Sequence, residues 1–222
     1  MKLKFKIQQY QTDAVESTVG VFSGQPNLNP QEYKVDKGNI YIEENGKRVA
    51  QQGELFDDTG YKNGAIVLTE QDLLSNIHHI QTDNNIHLSS EVVKKLGACQ
   101  LDIEMETGTG KTYVYIKTMF ELNKRYGWTK FIVVVPSIAI REGVKKSFDI
   151  TTDHFMELYG KKARYFIYNS DNLNQIDTFS QSADISVMII NTQAFNTSLN
   201  EKATNKAARI IYDKRDEFGS RR

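Results

Sequence analysis

The 222-residue sequence contains one cysteine, three prolines and one tryptophan, and its basic and acidic residues cancel to a formal net charge of zero. A single cysteine, Cys99, excludes an internal disulfide framework and is typical of a reducing compartment, so we expect a cytoplasmic protein. No apolar run approaches the roughly 20 residues that span a bilayer, so no membrane partner is expected. With zero net charge, any contact with nucleic acid has to come from a local basic patch. The four histidines lack cysteine or carboxylate partners at metal-ligand spacing, which argues against a zinc site.

The most informative segment is the run Glu106–Thr112, which lies between an apolar–acidic alternation at 101–105 and an apolar-periodic segment. The alternation predicts a half-buried strand, and the periodicity predicts a helix. Glycines between them let backbone N–H groups turn towards a phosphate at the helix N-terminus. In the general G-x-x-x-x-G-K-[ST] pattern, the lysine contacts phosphates and the hydroxyl ligates Mg²⁺. This chain departs from the pattern at its first position, where Met105 stands in place of glycine. The predicted phosphate site comprises Thr107, Gly108, Thr109, Gly110, Lys111 and Thr112, with Lys111 and Thr112 as catalytic candidates and Thr112 as the magnesium ligand.

The pattern after the loop alternates strand and helix. Further strands are predicted at 131–135, 163–168 and 185–190, the first as a buried run. Ser137 is expected to cap one helix and Thr152 to begin another. This alternation predicts an α/β domain with a mainly parallel sheet, whose loops meet at the carboxyl edge of the strands.

The chain before the loop divides into two parts. Residues 1–23 predict an opening strand at 1–7 and a helix capped by Thr12 or Asp13. Residues 24–97 form an insertion with an Asn–Gly hairpin turn at 45–46, a helix that begins near 69, and a short helix through 92–96. We therefore expect three units, 1–23, 24–97 and 98–222.

Three stretches carry a resemblance to a known family. Glu106–Thr112 and Val133–Val144, with the phrase Pro-Ser-Ile-Ala-Ile-Arg-Glu-Gly-Val, resemble motifs I and Ia of superfamily 2 helicases. More narrowly, they resemble the Res subunit of type III restriction-modification enzymes, as do Ile189–Asn196 and the opening Phe5–Gln11. The resemblance implies a RecA-like domain that binds ATP and Mg²⁺, with helices on both faces of the sheet. It also implies coupling of ATP hydrolysis to movement on double-stranded DNA, cleavage by a separate nuclease domain, and a methyltransferase (modification) subunit that recognises the sequence.

The resemblance also implies roles for individual residues. Gln11 would read the adenine edge, with Gln8 as the alternative, because an amide donates and accepts at once. The candidates for contact with the DNA backbone are Ser137, Arg141, Lys145, Asn191 and Thr192. Helix capping and solvated basic side chains are the alternative interpretation of these five. Asp102 and Glu104 are expected on a sheet face towards polar neighbours rather than as catalytic carboxylates. Tyr113 and Tyr115 are expected to be packing residues rather than stacking platforms.

ATP hydrolysis needs an acidic pair after an apolar strand. The strand Val187–Ile190 is followed by Asn191, and Asp216–Glu217 lies in a charged cluster. We therefore expect the N-terminal part of a longer motor subunit, cut before its Asp–Glu box, which binds ATP without efficient turnover. The alternatives are another superfamily 2 motor, such as a type I restriction motor subunit or a repair helicase, and a non-catalytic nucleotide-binding module. A small-molecule kinase fits least.

Overall fold

A computed structural model describes residues 5–34, 40–44, 47–51, 59–94, 97–168 and 174–198. Six helices and seven strands are assigned within these ranges. In chain order they are α1 (Gln9–Gly20), β1 (Gln31–Lys34), β2 (Ile40–Glu44), β3 (Lys47–Gln51), β4 (Thr59–Lys62), α2 (Glu70–Asp83), α3 (Lys111–Tyr126), β5 (Lys130–Val135), α4 (Ile138–Tyr159), β6 (Arg164–Ile167), α5 (Asn174–Gln181), β7 (Ser186–Asn191) and α6 (Thr192–Ser198). No helix of these ranges has the length and apolar character needed to cross a membrane.

The centre of the fold is a parallel sheet with the strand order β5-β7-β6. The side chains of β7 alternate between two apolar clusters. Val187 and Ile189 pack with residues of α3 and α4, whereas Met188 and Ile190 pack with residues of α5 and α6. The predicted α/β architecture, with a parallel sheet and helices on both faces, is therefore confirmed.

The outer strand β5 is less buried than its apolar sequence predicts. It pairs with β7 alone among the described strands. Phe131, Val133 and Val135 pack towards α3 and α4, but Ile132 and Val134 are each 42% exposed on the opposite face. The prediction of a fully buried strand was wrong, because the apolar cluster that α5 and α6 form with β6 and β7 does not include Ile132 or Val134.

The strand predicted at 101–105 is absent, and this segment is irregular. Leu101 and Met105 pack against the cluster formed by α1, α2 and α3, while Ile103 is half exposed. Alternation of apolar and polar residues makes a strand only where a neighbour supplies backbone partners. The described sheet ends at β5, so the segment has no partner strand in it.

Three further predictions about elements were wrong. Helix α1 begins at Gln9 with Gln8 at the N-cap position, so Thr12 and Asp13 lie inside the helix. Residues 5–7 form no strand, and 1–4 lie outside the described residues. No helix forms at 91–94; instead, the Val93 carbonyl accepts a hydrogen bond from the backbone N–H of Gln100.

Helix α4 is one continuous helix of 22 residues, where two were predicted. Ser137 caps it as expected, because its side chain accepts from the backbone N–H of Ile140. Thr152 begins no new helix. Its hydroxyl donates to the Phe148 carbonyl, and the Thr151 hydroxyl donates to the Ser147 carbonyl, each at 2.7 Å. Such bonds to the preceding turn satisfy threonine hydroxyls without interrupting a helix.

The region before the phosphate loop contains two separate two-stranded sheets. β1 pairs with β4 and β2 pairs with β3, both antiparallel, so the predicted hairpin is present, while its turn residues 45–46 lie outside the described residues. Side-chain amides fix the segments that flank the β1–β4 sheet. Gln25 bonds to the backbone of Ala65 and Val67, and Asn63 bonds to the backbone of Thr129 and Lys130 at the start of β5.

Candidate nucleotide-binding site

The phosphate loop leads directly into α3, as the sequence predicted for the helix. Gly110 is the N-cap residue and has a left-handed backbone, φ 86°. Gly108 has φ 83°, and no heavy atom lies within 4 Å of the place a Cβ would occupy. The first turn of any helix leaves N–H groups without intrahelical partners. The loop therefore offers open space and unpaired backbone donors at the positive end of α3.

Two side chains of the loop donate hydrogen bonds to one of the loop's own carbonyl oxygens. The Lys111 ammonium donates to the Glu106 carbonyl oxygen at 2.8 Å, and the Thr109 hydroxyl donates to the same oxygen at 2.6 Å. Lys111 is exposed, so its ammonium keeps access to solvent. A phosphate group entering the loop would compete with a single main-chain oxygen for this cation.

Gln11 on α1 reaches the loop. Its Nε2 donates to the Thr109 carbonyl oxygen at 2.9 Å. A Cβ at position 110 would lie 2.6 Å from this nitrogen, so glycine at 110 is needed for the contact. The alternative residue, Gln8, occupies the N-cap position of α1. The structure thus brings Gln11 to the predicted phosphate loop.

Polar contacts brace α1 against α3 beyond the loop. Arg125 of α3 binds both carboxylate oxygens of Glu16 at 2.6 and 2.7 Å, and the Tyr126 hydroxyl donates to the Val19 carbonyl. The largely buried Lys117 donates to the Thr12 hydroxyl at 3.2 Å. These contacts hold the helix that carries Gln11 in a defined position relative to the loop.

Two tyrosines follow the loop in α3. The Tyr113 hydroxyl lies 2.9 Å from His154 Nε2, and Phe5 stacks on this pair. Burial lowers the pKa of His154; Glu157 opposes this effect and Lys117 adds to it. Tyr115 packs against the α3–α4 cluster and its hydroxyl oxygen is buried. The sequence predicted packing for both side chains, but only the structure shows what their hydroxyls face.

A cavity of about 610 Å³ lies beside the loop, between α1, α2 and residues 100–106. Its lining has no lysine, arginine or histidine, and it includes the carboxylates of Asp13, Glu91, Asp102, Glu104 and Glu106. This charge disfavours polyphosphate inside the cavity. Lys111 is not among the residues that line this cavity. Within the described ranges, no group of three His, Cys, Asp or Glu side chains has metal-binding geometry.

Several of the residues considered for DNA contact meet at the carboxyl edge of the sheet. Val135 pairs with Asn191, and the Thr192 hydroxyl donates to the Val135 carbonyl at 3.1 Å. Asn191 accepts from the backbone N–H of Ala194, and Ser137 caps α4. These three side chains therefore have partners within the fold.

The two basic candidates lie further along α4. Arg141 is half-buried and bonds to Glu142, while its Nε is buried without a hydrogen-bond partner in the described part of the chain. Lys145 is exposed. Of these two basic candidates, Lys145 is therefore the more accessible to an external phosphate.

A parallel sheet with helices on both faces and a glycine-rich loop that opens a helix define an α/β domain of the RecA-like class. The family model for the type III restriction enzyme, res subunit, matches residues 4–218, so the chain belongs to that family. The resemblance inferred from the motifs is confirmed.

Individual relatives give the same result over part of the chain. It is 38% identical over 110 residues to the EcoP15I Res subunit of Escherichia coli and 37% identical over 111 residues to the EcoPI Res subunit of Escherichia phage P1. It is 36% identical over 142 residues to the StyLTI Res subunit of Salmonella typhimurium. These matches cover 49 to 55% of this chain and 11 to 14% of the relatives.

Proposed function

We propose that this chain is the nucleotide-binding part of an ATP-driven DNA motor and endonuclease subunit of a type III restriction enzyme. In this proposal the whole protein acts in the cytoplasm on double-stranded DNA, together with a methyltransferase (modification) subunit. The observation that carries it is the hydrogen bond from Gln11 to the Thr109 carbonyl. That bond sets a side chain able to read a base edge beside a loop able to hold phosphates.

The loop residues fit a magnesium-bound nucleoside triphosphate. Gly108 leaves open space, and the N-terminus of α3 supplies unpaired N–H donors. Lys111 would exchange the Glu106 carbonyl for phosphate oxygens, and the Thr112 hydroxyl would hold Mg²⁺. Magnesium, when bound, neutralises charge on the phosphates. Thr107 and the backbone amides of 108–110 complete the proposed cradle.

Gln11 fits the base of the nucleotide. One N–H of its amide is used on the Thr109 carbonyl. The second N–H and the amide oxygen offer one donor and one acceptor, which is the pattern an adenine edge requires. We propose that this pair selects ATP.

Turnover, movement along DNA and cleavage are proposed for the whole protein. The described strands of this chain are followed by no Asp–Glu pair, since β7 ends at Asn191. In this proposal Ser137, Arg141, Lys145, Asn191 and Thr192 face the DNA backbone. The family match over residues 4–218 supports this function over a type I restriction motor subunit or a repair helicase.

Calorimetric titration with Mg-ATP tests the proposal. We expect saturable binding by the unaltered chain, loss of binding in Lys111→Ala, and unchanged binding in Lys124→Ala. Lys124 is the control because it is an exposed lysine at the opposite end of the same helix. Equal binding by all three proteins would contradict the proposed site. Absence of binding by an unaltered chain that melts cooperatively would contradict nucleotide binding by this chain.

A further inference from the structure

The hydroxyl of Tyr115 is a buried polar group with an unused hydrogen-bonding capacity. Its oxygen is inaccessible to solvent and has no hydrogen-bond partner within the described part of the chain. The tyrosine ring packs against the apolar cluster between α3, α4 and the sheet. Buried side-chain polar atoms are satisfied in the large majority of cases, so an orphan of this kind calls for an explanation.

Thr112 is the neighbour of this hydroxyl. Thr112 and Tyr115 are three residues apart on α3, and therefore lie on one face of the helix. Long side chains on a helix point back towards its N-terminus, which directs Tyr115 over the turn that contains Thr112. Burial raises the pKa of Tyr115, and an interaction of hydrogen-bond type with the Thr112 side chain partly offsets this. The two hydroxyls are thus close, but among the described residues no partner meets the distance and angle of a full hydrogen bond to the Tyr115 oxygen.

The chemistry of a magnesium ligand explains what the orphan hydroxyl can do. A threonine hydroxyl has one proton and two lone pairs. When one lone pair binds a cation, the proton becomes a stronger donor and points away from the metal, where it needs an acceptor. Water does not reach the Tyr115 oxygen, whose own lone pairs are unused. The Tyr115 oxygen is therefore able to accept a hydrogen bond from a neighbouring side chain.

We propose that Tyr115 is a positioning residue for magnesium: its hydroxyl oxygen accepts the Thr112 proton and so turns a Thr112 lone pair towards the metal. This inference rests on the proposed nucleotide site. It assigns Tyr115 a role in metal binding without direct contact between Tyr115 and the nucleotide.

The test compares ATP affinity with Mg²⁺ and with EDTA for the unaltered chain, Tyr115→Phe and Tyr113→Phe. Tyr113 is the matched control, because its hydroxyl faces His154. We expect Tyr115→Phe to weaken Mg-ATP binding by up to about tenfold, the upper end of the range for one lost hydrogen bond, and to leave metal-free ATP binding unchanged. Tyr113→Phe should retain the enhancement by Mg²⁺. The melting temperature of ligand-free Tyr115→Phe should be unchanged or slightly raised, since an unpaired buried hydroxyl is removed.

A double variant provides a second test. If Tyr115 acts through the Thr112 hydroxyl, Thr112→Val with Tyr115→Phe should bind Mg-ATP no more weakly than Thr112→Val alone. Equal loss with and without Mg²⁺, or additive losses in the double variant, would overturn the inference and leave the nucleotide site intact. If the unaltered chain binds ATP under neither condition, the proposed function fails and the inference fails with it.

Discussion

Gly108 and Gly110 have nearly the same backbone angle, φ 83° and 86°, but different surroundings. A Cβ at Gly108 would meet open space, whereas a Cβ at Gly110 would lie 2.6 Å from the Gln11 amide nitrogen. Both substitutions by alanine carry the cost of a left-handed backbone, about 1 kcal/mol. Gly108 therefore leaves space for a ligand, whereas Gly110 leaves space for the Gln11 side chain within the protein.

We predict that Gly108→Ala abolishes Mg-ATP binding while lowering the free energy of unfolding by only about 1 kcal/mol. Gly110→Ala should cost about 1 kcal/mol more, because it also displaces Gln11. Denaturant unfolding and calorimetry on the two variants measure both effects. Equal unfolding free energies for the two variants would show that the Gln11 contact does not stabilise the fold.

Lys130 supplies a prediction about pH. Its ammonium donates to the carbonyls of Phe179 and Ser182 at the end of α5. Burial lowers the pKa of Lys130 to about 8, against a partly opposing attraction from Asp184. The folded protein therefore releases this proton at a lower pH than the unfolded chain, whose lysine has a pKa of 10.5. The stabilisation is absent below about pH 8 and develops between there and pH 10.5.

We expect the unaltered chain to gain roughly 1–2 kcal/mol of unfolding free energy over this window relative to Lys130→Met, after allowance for solvent near the side chain. Urea unfolding of both proteins at about pH 7 and about pH 10 measures the difference. Comparing pH slopes removes the contributions of other titrating groups and of the hydrogen bonds lost in the variant. Parallel slopes would contradict the lowered pKa.

At the scale of elements, the two longest helices end alike but in different surroundings. α3 is followed by Gly127 and α4 by Gly160, both left-handed. A Cβ at Gly127 would lie 2.1 Å from the Leu28 carbonyl oxygen, whereas at Gly160 nothing lies within 4 Å. The backbone at Leu28, which precedes β1, is thus packed directly on the end of α3.

Gly160→Ala should cost about 1 kcal/mol, the strain of a left-handed alanine. Gly127→Ala should cost a further 1–3 kcal/mol, because the backbone at Leu28 has to move. Thermal or urea unfolding of the matched pair measures the difference. A Gly127→Ala variant as stable as Gly160→Ala would mean that the backbone at this end of α3 moves without a loss of unfolding free energy.

Among the elements, those that depend on residues close in sequence were predictable, whereas those that depend on the pairing of distant strands were not. The Ser137 cap and the glycine-rich loop depend on neighbours within a few residues, so the sequence contains the whole signal. The absent strand at 101–105 depends on a partner strand far along the chain. Thr152 predicted a helix start, but its hydroxyl bonds to the preceding turn of a helix that continues through it.

The candidate site shows the same division. The residues of the phosphate loop follow from a contiguous motif, and the structure sets Gln11 beside it. The neighbours of the Tyr113 and Tyr115 hydroxyls were not predictable, because His154 comes from α4 and the burial of Tyr115 depends on the packing of α3 against α4 and the sheet. The signal that the sequence offered for these neighbours was the presence of tyrosine hydroxyls on the apolar face of a predicted helix.

At the scale of the whole molecule, β5 presents an unpaired edge among the described strands, beside the exposed Ile132 and Val134. Such an edge is a template for pairing with another strand. We predict reversible, concentration-dependent association of this chain, weakened by Ile132→Lys. Sedimentation equilibrium measures it, with Ile150→Lys on α4 as the control of similar exposure, 43% against 42%. A chain that stays monomeric at every concentration, or equal weakening by the control, would contradict association through β5.

The contacts that Gln11 and Lys111 make with the loop both end on main-chain oxygens, those of Thr109 and Glu106. A main-chain oxygen is present whatever side chain the position carries. Neither contact therefore depends on which side chains residues 106 and 109 carry. In a laboratory mutational scan of this loop, Glu106 and Thr109 should accept substitution more readily than Gly108 and Gly110, which have a left-handed backbone, and than Lys111 and Thr112, whose side chains are needed for the proposed ligand.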